Sequence, residues 1–254
     1  MLVIYLKRHS LYIVKMKNNF KLDALFIGAH PDDIEITCSG TLLRLKNCGK
    51  KIGITDITQG ELSTRGTLKS RAKESETATK ILGVTVRENL KLNDGNIINN
   101  EQNRLKLIRV IRKYQPTIIF APYPSDRHPD HISASNFIKD SVYYSGLRKI
   151  RTERLDAFRP QRIFYFRHAY DLPISLIVDI TDTYQTKIKS ILAFASQFYN
   201  PNSKEPETYI SSNLFLKDIE ARARFYGFKI GVEFGEPFYT EEPIKIEPEI
   251  LFNL

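Results

Sequence analysis

Along the first two-thirds of the chain, short and nearly continuous apolar runs alternate with longer stretches whose apolar residues return every third or fourth position. The first pattern suits strands buried on both faces and the second suits amphipathic helices, so the alternation predicts βαβ units around a parallel sheet. Strands are expected at Ala24–Gly28, Ile52–Asp56, Glu88–Leu90 and Thr117–Ala121. Helices are expected near Gly40–Asn47, Lys69–Leu82 and Arg104–Tyr114, with Gly49 and Gly83 as stops and Pro116 closing the third. A fourth helix, Ser133–Ser145, follows the fourth strand, and two more strands are placed at Ile163–Phe166 and Leu176–Asp179. A helix from Thr181 then carries a buried stripe of Ile188, Ile191, Leu192, Ala195 and Phe198. The segment Tyr199–Ser212, rich in Pro, Asn and Ser, reads as a loop, and Phe215, Ile219, Ala223 and Tyr226 mark a last helix. The expected fold is α/β: a Rossmann-like three-layer α/β/α arrangement with a mostly parallel sheet, forming a single domain over residues 16–254.

Residues 1–15 stand apart as an N-terminal extension. Their apolar runs, Leu2–Leu6 and Leu11–Val14, are broken by Lys7, Arg8 and Lys15, so neither a signal sequence nor a membrane span is expected. Met16 stands just before the first confident strand and is the expected natural start; an intact mass of the native protein that retains Met1 would overturn this. Cys38 and Cys48 offer no disulfide framework and no CxxC, which fits a reducing cytoplasm. A chain of 254 residues buries roughly 70–75% of its unfolded surface, so a metal here would serve chemistry rather than hold the fold together. The 38 basic residues exceed the 29 acidic ones, a net charge of +9 that invites an anionic partner. The charge is dispersed without a basic run or RNA-binding signature, which argues against a nucleic-acid-binding module.

Candidate chemistry concentrates in two places. Ala29-His30-Pro31-Asp32-Asp33 and Arg127-His128-Pro129-Asp130-His131 each follow an apolar strand and each contain His-Pro-Asp. With 5 His, 12 Pro and 13 Asp in the chain, roughly 0.01 such triplets are expected by chance. The two motifs follow the first and fourth strands, which are neighbours at the switch point of a 3-2-1-4-5 sheet, so both face one crevice. The first strand-to-helix turn lacks G-x-G-x-x-G and sets Asp32 and Asp33 where a dinucleotide would need bare N–H groups, which disfavours NAD.

Imidazole and carboxylate are ligands for a catalytic divalent metal. His30, Asp33 and His131 make up such a set, zinc being the first choice and Fe2+ an alternative with the same two-His-one-carboxylate ligands. Asp32 suits a general base, His128 an acid or a protonated oxyanion donor, and Asp130 a group that orients an imidazole. The plainer alternatives are that Asp32 or Asp33 caps the helix after it and that Pro31 and Pro129 are first-turn prolines. His9 and His168 are assigned no chemistry, as an end residue and a loop or strand-end residue.

Ala29-His30-Pro31-Asp32-Asp33-Ile34-Glu35 followed by Gly40-Thr41-Leu42, with His128-Pro129-Asp130-His131 downstream, resembles the PIG-L/LmbE-like zinc deacetylases. Gln59–Thr67, Asp126-Arg127-His128, Ser145–Lys149 and Lys187–Phe198 resemble its bacillithiol-biosynthesis branch, whose members deacetylate N-acetyl-glucosaminyl-malate. The resemblance spans about residues 20–240. It implies zinc on His30, Asp33 and His131, Asp32 as base, His128 as its partner, and substrate contacts from Arg71, Asp94 and Arg127. It also implies a cytoplasmic homo-oligomer acting on a small anionic N-acetylglucosamine conjugate, with neither nucleic acid nor membrane as partner. Two rivals stay open: within the enzyme class, a deacetylase of another amino sugar or an amidase of a thiol conjugate, and from a different class, a catalytically silent basic module that binds nucleic acid. One departure is Ser39, where the family usually has glycine.

Overall fold

The computed structural model describes residues 2–7, 10–15, 20–153 and 155–249. His9, Met1 and Met16 lie outside the described residues. Strands β1 (Leu2–Lys7) and β2 (Ser10–Lys15), which the sequence reading did not assign, pair antiparallel as a two-stranded sheet. In chain order there follow β3 (Ala24–Gly28), α1 (Asp33–Thr37), α2 (Ser39–Asn47), β4 (Ile52–Thr58), α3 (Leu68–Leu82), β5 (Val86–Leu92), α4 (Glu101–Tyr114), β6 (Ile118–Pro122) and α5 (Pro129–Ser145). The chain continues through β7 (Arg162–Phe166), β8 (Leu176–Asp179), a 3-10 turn (Thr181–Thr183), α6 (Tyr184–Leu192), α7 (Asn213–Lys229) and β9 (Gly235–Tyr239).

The main sheet has the order β5-β4-β3-β6-β7-β9-β8. Its first five strands run parallel in the expected 3-2-1-4-5 sense, and β9 runs antiparallel to both β7 and β8. Alternation along β3 divides the core between the two faces. Leu25 and Ile27 pack with Ile119, Leu107, Ile111 and Phe137 on one side. Ala24 and Phe26 pack with Ile54, Phe120, Ile34 and Leu42 on the other. The Phe26 and Phe120 rings stack with centroids 4.2 Å apart. This is the three-layer α/β/α arrangement, and it leaves the ends of β3 and β6 side by side.

Two departures from expectation have local causes. The strand β9 was hidden because Gly235 and Pro237 are poor strand formers. Pro237 is tolerated because it pairs only with Ile177 of β8, whereas the pairing with β7 begins at Phe238. The stripe expected from Thr181 is interrupted because α6 stops at Leu192. Leu192 and Ala195 consequently face outward, while Phe194 and Phe198 turn into a cluster with Phe215 and Ile219. Ser39 fits without strain: it is buried, and its hydroxyl donates to the Glu35 carbonyl at 2.8 Å.

Candidate active site

The site grows from the carboxyl ends of β3 and β6. After β3 the chain turns through His30 and Pro31 into α1. Gly28 is required there, since a Cβ at that position would come within 2.9 Å of the Asp33 Cβ. After β6 the chain enters α5 through His128, the N-cap, whose Nδ1 accepts the Asp130 N–H at 3.2 Å, with Pro129 in the first turn.

Neither aspartate of the first motif serves as a helix cap. Asp32 precedes α1 but makes no capping hydrogen bond, and the Asp33 Oδ2 accepts the His30 N–H at 2.9 Å. Asp32 has φ 121°, a conformation that costs a non-glycine residue about 1–3 kcal/mol and is characteristic of functional sites. Its carboxylate is buried 3.3 Å from Arg71 Nη2. Burial pushes the Asp32 carboxyl up to about 7, with Arg71 opposing and Asp33 adding to the rise.

The imidazoles are oriented by carboxylates behind them. His30 Nε2 contacts Asp94 Oδ1 at 3.0 Å and Asp130 Oδ2 at 3.3 Å. His131 Nδ1 contacts Asp126 Oδ1 at 3.0 Å. The opposite ring nitrogens turn toward Asp33, with His30 Nδ1 3.8 Å from Oδ2 and His131 Nε2 3.4 Å from Oδ1. Histidines that contact a carboxylate through one nitrogen and present the other are arranged as metal ligands usually are. One donor atom from each of His30, Asp33 and His131 lies within 4.8 Å of the others. His30, His128 and Asp130 meet the same distance. In that second group Asp130 Oδ2 is already engaged by the Gly95 N–H at 2.7 Å, and His128 Nδ1 by the Asp130 N–H.

The charge balance also suits a cation. Burial would lower His30 and His131, but the carboxylates around them prevail: His30 is held well above its usual range and His131 at about 9. Burial would raise Asp33, yet the charge of His131 and the hydrogen bonds from His131 and His30 hold it well below the usual carboxylate range. The carboxylates that raise these two imidazoles concentrate negative charge where a dication could take the place of their protons.

These groups open onto a cavity of about 480 Å³. His30, Asp32, Asp33, His128 and His131 line it, as do Arg71, Asp94 and Arg127. Asp130 lies behind His30. Arg71 is buried, and its guanidinium is engaged by Ser63 Oγ, the Pro31 carbonyl at 2.6 Å, Asp32 and Gln197. Asp94 accepts the Leu62 N–H at 2.9 Å besides contacting His30. Arg127 is exposed at the rim, with its guanidinium 4.0 Å over the Tyr209 ring.

A family model described as PIG-L, GlcNAc-PI de-N-acetylase, matches residues 25–142. The chain is 34% identical over 149 residues to the uncharacterized deacetylase YaiS of Escherichia coli, covering 53% of this chain and 71% of that protein. The chain belongs to the PIG-L family. This PIG-L chain is also 29% identical over 189 residues to the diacetylchitobiose deacetylase of Thermococcus kodakarensis, covering 68% and 69% of the two proteins. It aligns with the crystal structure of the conserved protein TT1542 from Thermus thermophilus at a TM-score of 0.81 and 35% identity, over 89% and 98% of the chains.

Two residues of the PIG-L site escaped the sequence reading. Asp126 orients His131, while Asp130, expected to orient an imidazole, lies against His30; Asp126 also accepts the His128 N–H at 2.8 Å and the Ala169 N–H at 3.0 Å. His168, set aside above as a loop or strand-end residue, stacks on His131 with centroids 3.8 Å apart. It follows β7, the neighbour of β6, so extending the strand-end rule by one strand would have found it. Burial and His131 push it down to about 3, which keeps it neutral. Among the described residues of this PIG-L chain no helix is long and apolar enough to cross a membrane.

Proposed function

We propose that this protein is a zinc-dependent N-deacetylase of a small N-acetylglucosamine conjugate, N-acetyl-glucosaminyl-malate of bacillithiol biosynthesis being the substrate favoured by its sequence. The observation that carries the reading is the convergence of His30, Asp33 and His131 beside the buried Asp32 on one cavity. His30, Asp33 and His131 would hold a divalent ion, which would supply Lewis acidity to an amide carbonyl and lower the pKa of a water to roughly 7. Asp32 is placed to take the proton of the water whose oxygen attacks the carbonyl carbon, being a carboxylate whose proton affinity sits close to neutrality. Arg71 holds Asp32 from behind and limits the rise that burial alone would cause.

His128 faces the developing oxyanion. Burial lowers its pKa, and its Nδ1 accepts the Asp130 N–H, so Nε2 is the ring nitrogen left to donate to that oxygen. Cleavage of the C–N bond releases acetate, and the leaving nitrogen receives the proton held by Asp32.

Arg127 supports the anionic part of the substrate, because a guanidinium placed over a tyrosine ring at the rim can pair with a carboxylate bidentately. Arg127→Ala is expected to raise KM for the malate conjugate about tenfold and to leave KM for N-acetylglucosamine nearly unchanged. Equal effects on both substrates would remove carboxylate recognition from Arg127. A second reading, deacetylation of diacetylchitobiose, is favoured by the Thermococcus relative.

The deciding assay measures acetate release by zinc-loaded protein from N-acetyl-glucosaminyl-malate, N-acetylglucosamine and N,N′-diacetylchitobiose, each beside a chelated control. Chelator-sensitive turnover confined to the conjugate is the expected result. Preferential turnover of either neutral sugar would move the substrate elsewhere, and turnover that survives complete metal removal would end the zinc reading.

A further inference from the structure

His168 is the buried group in the cavity to which the mechanism above gives no work, yet its orientation is fixed by several elements. Arg222 of α7 donates to its carbonyl at 2.7 Å, and Asp126 accepts the N–H of the next residue, Ala169. Its ring lies against His131 on one side and meets Phe166 edge-on at 5.4 Å. Its side chain is 8% exposed, and its Nε2 is buried without a hydrogen-bond partner.

A buried polar atom left unpaired costs stability, so one that is this well oriented calls for a use. The carboxylate oxygen in front of Nε2 is Asp33 Oδ1, 3.9 Å away, the same oxygen that His131 Nε2 approaches to 3.4 Å. His168 is absent from the groups of described residues whose donor atoms converge within 4.8 Å. Its place is therefore beside the ligand set. We propose that His168 is a positioning residue of the metal centre, whose Nε2–H is directed at Asp33 Oδ1 and keeps that carboxylate turned toward the ion. This rests on the metal-dependent deacetylase reading.

The test titrates metal-free protein with Co2+, reads the ligand-field absorption, and measures Zn2+ affinity by chelator competition. His168→Leu is expected to weaken affinity about 10- to 100-fold with the ligand-field bands unmoved, because the ligands themselves are retained. His168→Gln, which keeps an N–H donor, should recover most of the loss. His168→Phe preserves the stack on His131, so it reports on the missing donor even where the Leu variant fails to fold. Wild-type affinity in the Phe variant would overturn the proposal, and so would bands that shift as they do when a ligand is lost. Failure of the wild-type protein to take up Co2+ would overturn the metal reading together with it. Unchanged variants of a metal-binding wild type would remove only the role of His168.

Discussion

Asp32→Asn is expected to lower kcat by about 10²- to 10⁴-fold while leaving zinc affinity near that of the wild type. The substitution is close to isosteric and removes one property, the ability to take a proton. Asparagine tolerates positive φ about as well as aspartate does, so the backbone turn at φ 121° should survive. Its amide oxygen can still accept from Arg71, which otherwise points at Asp32 from 3.3 Å. The two ring nitrogens that face the proposed metal position approach Asp33 and not Asp32. Metal content should therefore be preserved, and circular dichroism should be superimposable. Steady-state kinetics beside metal analysis reads both quantities. An unchanged kcat with a full metal complement would assign the base elsewhere, whereas loss of metal would mean that Asp32 belongs to the ligand set.

How much of this site could be read from the sequence follows from the physics that places each residue. The two His-Pro-Asp motifs were legible because each follows a strand buried on both faces, and such strands announce themselves as uninterrupted apolar runs. Their adjacency followed from the parallel order, which places β3 beside β6. The division of labour among the aspartates was not legible. Asp94, Asp126 and Asp130 all stand near a histidine, and spacing alone does not say that Asp94 and Asp130 share His30 while Asp126 takes His131. Arg71 poses the same problem in another form. A basic residue at a helix start reads as an open anion contact, but three-dimensional packing engages its guanidinium with Pro31, Asp32, Ser63 and Gln197. His168 was passed over because it stands alone after a strand that was itself expected, with no His-Pro-Asp motif beside it to mark it. The missing strand β9 was obscured by Gly235 and Pro237, and with it the role of Glu236.

Lys187→Met is expected to destabilise the protein by about 3 kcal/mol or more, since it leaves a buried carboxylate without its counter-ion. Lys187 and Glu236 are 2% and 3% exposed, and Lys187 Nζ donates to Glu236 Oε1 at 2.6 Å. Glu236 also accepts the Gly40 N–H on Oε1 at 3.1 Å and the Thr41 N–H on Oε2 at 2.7 Å. Those N–H groups belong to the first turn of α2, where no intrahelical acceptor exists and the preceding Cys38 provides no side-chain cap. A carboxylate from β9 thus caps a helix that follows the first His-Pro-Asp motif, and α6 supplies the balancing charge. Gly40 has to be glycine for the same reason, because a Cβ there would lie 2.8 Å from Glu236 Oε1. The positive end of the helix dipole retains part of the compensation in the Lys187 variant, which keeps the cost at the lower end of the roughly 3–5 kcal/mol that breaking a buried pair entails. At this chain length the loss corresponds to a Tm lowered by roughly 6–12 °C. Adding Glu236→Gln should recover part of it, because the stranded charge disappears while one backbone acceptor remains. Urea denaturation of the wild type, both single variants and the double variant closes the cycle. Single costs that simply add would mean that Lys187 and Glu236 stabilise the fold independently, and that the anchoring of α2 by β9 does not depend on the pair.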